Sequence, residues 1–536
     1  MKNIEIPYVH DRGKRYRFFE MLPGILTWTL LIFPFALSFI SPELTIIFIL
    51  GYMMLWFVKA IGLDIRAIQG FKKLQLHQKL PWQQMFQDLI NGQVSVYEKK
   101  VPAWHAQNIS RLQLKPAPID PSQIIHAVIV ATYKESREIL EPTIKAVLES
   151  DYSMDKVILV LAYEERGGPE VEAQAQKLIS DYSGKFLHVM SVKHPMDIPG
   201  EVIGKGGNIT FAGRKLKEYL ESANIKPLNV IVTTLDADNR PHPKYLAAAS
   251  YLYSATYEPL TVSLQPIPMF TNNIWDAPAP MRVIATGNSF WMVVQGLRTH
   301  SLRNFSAHAQ NMQTLIDTDF WSVRTVVEDG HQYWRTYFRY DGKHNVYPIF
   351  LPIYQDAVLS NTLKKTLKAQ FVQLRRWAWG ASDVSYVAEM GFFRKNKLPK
   401  LDLIFKFSRL LEGHVSWATA PLILAFSAFV PVLVNPKNFA ANQLPLTASR
   451  VQTIALVGIF VTLFFSLKTL PPRPERYKRR RTFFMLIQWV YLPFTTIVYS
   501  AFAAIYSQTR LMFGKYLDKF DVTDKAFVTE DKQKKL

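Results

Sequence analysis

Apolar positions along this 536-residue chain gather in long uninterrupted runs near its two ends and in short runs between them. Residues 21–40 and 42–62, split by Ser41-Pro42-Glu43, each approach the ~20 residues that an α-helix needs to cross a ~30 Å hydrocarbon core. The first reads as a span and not as a signal peptide, because its apolar run is long and no small-residue cleavage site follows. Three further runs lie at residues 416–434, 451–470 and 483–507. The first two predict a second hairpin. The third carries Gln488, Trp489, Tyr491, Pro493 and Tyr499, a composition that suits either a fifth crossing or a helix lying at the interface. The pattern therefore predicts four or five spans. Leu403, Ile404, Phe407, Leu410 and Leu411 recur at helical spacing around Lys406 and Arg409, reading as an interfacial amphipathic helix or a core-facing one.

Between the apolar ends the period changes. Residues 124–131, 156–162, 186–192 and 229–235 are short apolar runs that read as strands, and 136–148, 171–180 and 208–220 read as the intervening helices. Strands alternating with helices imply βαβ units and a mainly parallel sheet, with ligands at the carboxyl ends of the strands. The chain thus divides into a membrane hairpin (1–70), a soluble domain (71–400), an interfacial helix with a second membrane region (401–510) and a polar tail (511–536).

Composition adjusts this picture in three ways. A hydrophobic fraction of 49% with 20% charged residues fits a mixed membrane and soluble protein. The absence of cysteine excludes disulfides, thiolate metal sites and cysteine nucleophiles. A net charge of +20 raises nucleic-acid binding, but the excess sits at span ends. Arg12, Lys14, Arg15 and Arg17 precede the first apolar run, and Arg473, Arg476, Lys478, Arg479, Arg480 and Arg481 crowd one short stretch. Anionic lipid and the positive-inside rule account for that placement, and no nucleic-acid-binding motif accompanies it. The same rule predicts a cytoplasmic soluble domain on the inner membrane of the cell.

Candidate chemistry falls where the strands end. Asp236 and Asp238, at i and i+2 just after the fourth strand, project to one side of an extended segment and can share a cation. Asp-Ala-Asp-Asn before Arg-Pro is also good turn chemistry. Glu328-Asp329 follows Val326-Val327 and reads as a candidate proton acceptor or as a polar loop. Gln373, Arg376 and Trp377 share a helix face, placing an aromatic plane beside a guanidinium, or docking a Trp in the core. Gly204-Lys205-Gly206-Gly207-Asn208 opens a helix and reads as an anion site or a plain loop.

In this order, Asp236-Ala237-Asp238, Glu328-Asp329, Gln373-Leu374-Arg375-Arg376-Trp377 and Phe520-Asp521-Val522-Thr523-Asp524-Lys525 resemble the membrane-embedded family 2 glycosyltransferases of the cellulose-synthase type. The resemblance covers about residues 125–525. It implies an α/β fold of GT-A (Rossmann-like) type inserted between N- and C-terminal transmembrane helices. It implies an inverting enzyme that extends a polysaccharide from a nucleotide-sugar and passes the glycan through its own helices. The alternative is transfer of a single sugar to a lipid or polyprenyl-phosphate acceptor; a nucleotide-binding transporter or receptor is the rival of another class.

The resemblance makes Asp329 the base, with Glu328 orienting the acceptor or the metal shell, and gives Asp236 and Asp238 Mg²⁺ or Mn²⁺. Thr132, Tyr133, Glu135, Glu164, Lys205 and Asp236 would bind the donor, a UDP-sugar by family habit. Gln373, Arg376 and Trp377 would place the glycan acceptor. Thr523 and Lys525 would reach phosphate from a gating loop, which favours a cytoplasmic C-terminus. Two departures stand out. Leu161-Ala162-Tyr163-Glu164-Glu165-Arg166 replaces the usual Asp-Asp, leaving open whether Glu164 or Glu165 substitutes and which base the donor carries. Phe305-Ser306-Ala307-His308 stands where a small pair is usual, so that His308 reads as an acceptor contact or as a structural histidine.

Overall fold

The computed structural model describes residues 3–97 and 101–517; the Phe520–Lys525 motif, with Thr523 and Lys525, lies outside them. One eight-stranded sheet forms the centre of the soluble part, in the order β3-β2-β1-β4-β7-β6-β8-β5. The strands are β1 (Ile125–Thr132), β2 (Val157–Glu164), β3 (His188–His194), β4 (Val230–Asp236), β5 (Arg240–Pro241), β6 (Val262–Met269), β7 (Ala309–Asn311) and β8 (Asn345–Tyr354).

Strands β1 to β4 are mutually parallel, with Ala131 opposite Ala162 on one side and Asp236 on the other. Their alternate residues feed two separate cores. Val128, Val130, Leu159, Leu161 and Leu235 pack with the Arg137–Leu148 and Pro169–Tyr182 helices, whereas Ile129, Val160 and Val232 pack with the Lys205–Ser222 helix. Burial on both faces explains why β1, β2 and β4 read as continuous apolar runs, whereas the edge strand β3 is half-exposed. The other half of the sheet is mixed: β7 is antiparallel to both β4 and β6, β6 and β8 are parallel, and β5 is antiparallel to β8.

Among the described residues, five helices are long and apolar enough to cross a membrane: Lys14–Ile40, Pro42–Lys79, Lys400–Val434, Phe439–Thr469 and Arg480–Met512. The last of these, the run that reads as a fifth crossing or an interfacial helix, is long enough to cross but is interrupted by 3-10 and π turns at Gln488–Tyr491 and Thr495–Ala501. The Pro42–Lys79 helix has 38 residues, about 57 Å at 1.5 Å per residue, and so continues well beyond a bilayer core. Its far end docks on the α/β body, where Phe71 and Leu74 pack against Val293, Phe350 and Phe465. The amphipathic stretch and the apolar run after it are one continuous helix, Lys400–Phe426, with Gly413 inside it. Leu403 and Leu410 face the core, while Leu401 is 85% exposed.

The first and last of these five helices are tied together. Glu20 is buried and receives Arg12 (2.9 Å), Arg17 (2.9 Å) and the Tyr516 hydroxyl (2.8 Å). Arg17 also donates to the carbonyls of Leu511 (2.7 Å) and Met512, capping the last helix.

Candidate active site

The turn after β1 is self-bonded: the Glu135 carboxylate accepts from the Thr132 hydroxyl (2.9 Å) and the Tyr133 amide (2.8 Å). Beside it, Asn208 in the first turn of the Lys205–Ser222 helix donates to Ala162 O (3.1 Å) and Thr132 O (3.4 Å), tying the ends of β1 and β2. The Asn208 Oδ1 is buried without a hydrogen-bond partner among the described residues.

At the end of β2 the two glutamates part. Glu165 accepts from the Met196 amide (2.9 Å), whereas Glu164 lines the central cavity beside Arg166 (3.6 Å). His194 bridges Glu164 (3.2 Å) and Glu201 (3.0 Å). Burial works against a proton on this imidazole, but hydrogen bonds to the two carboxylates outweigh it and lift its pKa to about 9. Arg166 Nε and Nη1 are buried and make no hydrogen bond to the described residues.

Lys205 is the electrostatic hub. Its Nζ lies 2.9 Å from Asp236, 3.1 Å from Asp329 and 3.9 Å from Glu328, with the side chain 9% exposed. Burial opposes its charge, and the three carboxylates more than restore it, so its pKa lies above the ordinary value. Glu328, buried and next to the Asp329 charge, is pushed up to about 8 against the pull of Lys205 and Arg376. Glu328 and Asp329 form the first turn of the Glu328–Arg339 helix, not a loop; negative charge there suits the N-terminal end of the helix dipole. His308 lies 3.5 Å from Asp329, but its Nδ1 faces the Phe305 carbonyl (3.0 Å) and its Nε2 accepts from Trp321 (3.2 Å). Those partners fix a neutral tautomer and make it a structural histidine.

Asp236 accepts from Ser306 (2.7 Å), and Asp238 accepts from the Asp356 amide (2.9 Å). Ser306 precedes Ala307, which is held at φ 65° although it is not glycine. Among the described residues, no group of three or more His, Cys, Asp or Glu side chains could hold a metal ion. The donor set on offer is two carboxylates facing one cavity, which fits Mg²⁺ or Mn²⁺ when water and phosphate oxygens complete the shell.

Gln373, Arg376 and Trp377 lie on the Leu363–Ala378 helix and line the same cavity, with Trp377 tilted against Phe270 at 6.1 Å. Thr132, Tyr133, Glu135, Glu164, Lys205, Asp236, Asp238, Glu328 and Asp329 line it too, so these candidates converge on one space of about 1430 Å³, which Glu165 and His308 do not line. Its wall continues into the apolar helices through Trp417, Leu424, Leu492 and Thr496. Sequence reasoning missed Arg166, His194, Glu201 and Ser306. Arg166 carried a signal as the neighbour of Glu164-Glu165, and Ser306 as part of Phe305-Ser306-Ala307-His308; His194 and Glu201 sit in segments without a motif.

No protein-family model matches the chain, and no curated protein does. Among solved structures it is similar to the mannosyltransferase PcManGT from Pyrobaculum calidifontis in complex with GDP-Man and Mn²⁺ (16% identity, 76% of this chain and 98% of that one, TM-score 0.41). It is also similar to S. aureus TarS 1–349 in complex with UDP-GlcNAc (12% identity, 75% and 95% of the chains, TM-score 0.34).

Proposed function

We propose that this chain is a membrane glycosyltransferase that moves a sugar, with inversion, from a nucleoside-diphosphate sugar to the hydroxyl of a growing glycan. The observation that carries this reading is the single cavity that joins the Lys205–carboxylate cluster to Trp377 and then to the apolar helices. In this reading a glycan made at one end would leave past the apolar helices at the other.

In the proposed reaction the acceptor oxygen attacks the anomeric carbon, the bond from that carbon to the diphosphate oxygen breaks, and the nucleoside diphosphate leaves with the electron pair. Asp329 takes the acceptor proton at a carboxylate oxygen. Without donor, Lys205 sits on Asp329 and Asp236 as their counter-ion; a diphosphate would compete for that ammonium and free Asp329 as a base. Asp236 and Asp238 would hold the divalent cation, which neutralises the departing diphosphate. Glu164 as acceptor and Arg166 as donor suit a base edge that sets an N–H beside a carbonyl, as uracil and guanine do.

Purified membranes supplied with UDP- and GDP-sugars and Mg²⁺ or Mn²⁺ test the reading by nucleotide release and product length. A product of many sugars is expected. D329N should lower transfer by roughly 10²–10⁴-fold while donor binding persists. Retained turnover in D329N overturns the assignment of the base, and a product one sugar long in lipid extract replaces chain extension with single transfer.

A further inference from the structure

A part of the cavity wall that the proposed reaction does not use is strongly basic. It is built by Lys59 on the Pro42–Lys79 helix, by Arg298 and Arg303 after the Ala279–Gly296 helix, and by Lys406, Arg409 and Glu412 near the start of the Lys400–Val434 helix. The carboxylates here are already engaged. Glu412 takes both Lys59 (2.8 Å) and Arg409 (3.1 Å). Asp402 takes Lys406 and the Tyr337 hydroxyl (2.8 Å), and Asp383 takes His331 (2.7 Å).

Two guanidiniums are left over. Neither Arg298 nor Arg303 donates a side-chain hydrogen bond to any described residue, yet both face the cavity. Arg298 is half-buried, with Arg66 and Arg409 as its like-charged neighbours and Glu412 as the opposing one; burial first, then those arginines, hold its pKa below the ordinary value. Arg303 is sunk in the wall, where burial lowers its pKa against the pull of Asp383 and Tyr333. An ion removed from water costs several kcal/mol unless a counter-charge meets it. The planar fork of arginine matches two oxygens of a phosphate.

The surroundings say what kind of phosphate. Trp56, Leu63, Phe405 and Leu410 line the same wall, and Ile404 and Phe405 remain 49% and 46% exposed. A free ion would leave that apolar surface uncovered, whereas an acyl or prenyl chain lying along it would bury it. We propose that Arg298 and Arg303 hold the phosphate of a lipid whose chain lies along the apolar wall between the Pro42–Lys79 and Lys400–Val434 helices.

The full chain, stripped of lipid in a neutral maltoside detergent and given no nucleotide-sugar, tests this apart from the transferase reading. Dodecyl phosphate, phosphatidylglycerol and inorganic phosphate are titrated and binding is followed by native mass spectrometry. Tryptophan fluorescence gives a second readout, since Trp56 lies 4.7 Å from the Lys59 ammonium. Wild type is expected to bind a phosphate lipid at least about tenfold more tightly than inorganic phosphate, and the R298Q/R303Q double variant to lose about tenfold or more. K468Q, a basic residue of another helix, should bind as wild type does. Preference for dodecyl phosphate points to a lipid monophosphate as occupant, and equal binding of phosphatidylglycerol to a bilayer lipid; either supports the site. Unchanged lipid affinity in the double variant overturns the proposal, as does inorganic phosphate binding as tightly as the lipids. If the double variant does not elute as a folded protein, the comparison of the three probes on wild type decides alone.

Discussion

Lys205 sits among three carboxyl groups that come from β4 and from the start of a helix more than a hundred residues away. Lys205→Met would leave Asp236, Glu328 and Asp329 crowded without the ammonium that contacts all three. Breaking one side of a buried ion pair costs ~3–5 kcal/mol. A correspondingly lower Tm in detergent is expected, and an unchanged Tm would refute the role of the ammonium as counter-ion. His194 supplies a pH dependence whose sign follows from its raised pKa. Below pH 6.5 the imidazole is protonated whether the chain is folded or not, and its bonds to Glu164 and Glu201 contribute in full. Between 6.5 and about 9 the unfolded chain releases the proton first, and the contribution is lost as pH rises through about 9. The Tm difference between wild type and H194Q should therefore shrink over that window; a constant difference would sink the assignment. The Gly-rich turn made Lys205 visible in the sequence. Its partners were not visible as partners, because ion pairs between distant segments leave no local pattern.

At the scale of elements, close packing fixes where these side chains sit. A Cβ on Gly206 would lie 2.5 Å from the Ser322 carbonyl oxygen, a backbone atom that cannot swing aside. Gly206→Ala should thus push the helix off its seat and cost ~1–3 kcal/mol, with weaker nucleotide-sugar binding because Lys205 moves with it. Wild-type stability and affinity in that variant would refute the tight contact. Strands β1 to β4 were legible to within two residues, β1, β2 and β4 because both their faces are apolar. Strands β6 and β8 were not, since Pro266, Pro268, Pro348 and Pro352 argue against a ladder. The sheet accommodates them with a register shift between Pro266 and Ile267. The Glu328–Arg339 helix was likewise hidden behind Gly330 and a dense run of aromatic and polar residues.

At the scale of the molecule, the proposed reaction would link chemistry to passage through one cavity. Thr496 lines it among the apolar helices, far along the chain from the carboxylate cluster. Thr496→Trp is expected to leave transfer of a first sugar intact while shortening the product, as judged by gel sizing of labelled glycan. Full-length product would mean that glycan leaves by another path. The two ends of the described chain close this architecture, with Arg17 bonded to Leu511 across 494 positions of sequence. Synthesis at ~5–20 residues per second separates those two residues by roughly 25 to 100 s. During that interval Glu20, buried in the finished protein, has no Tyr516 to meet, and the first helix waits in the bilayer with an incomplete partner surface. A ribosome stalled before the final helix would therefore leave a membrane-held intermediate, exposed to quality-control proteases and without the wall that Leu492 and Thr496 supply.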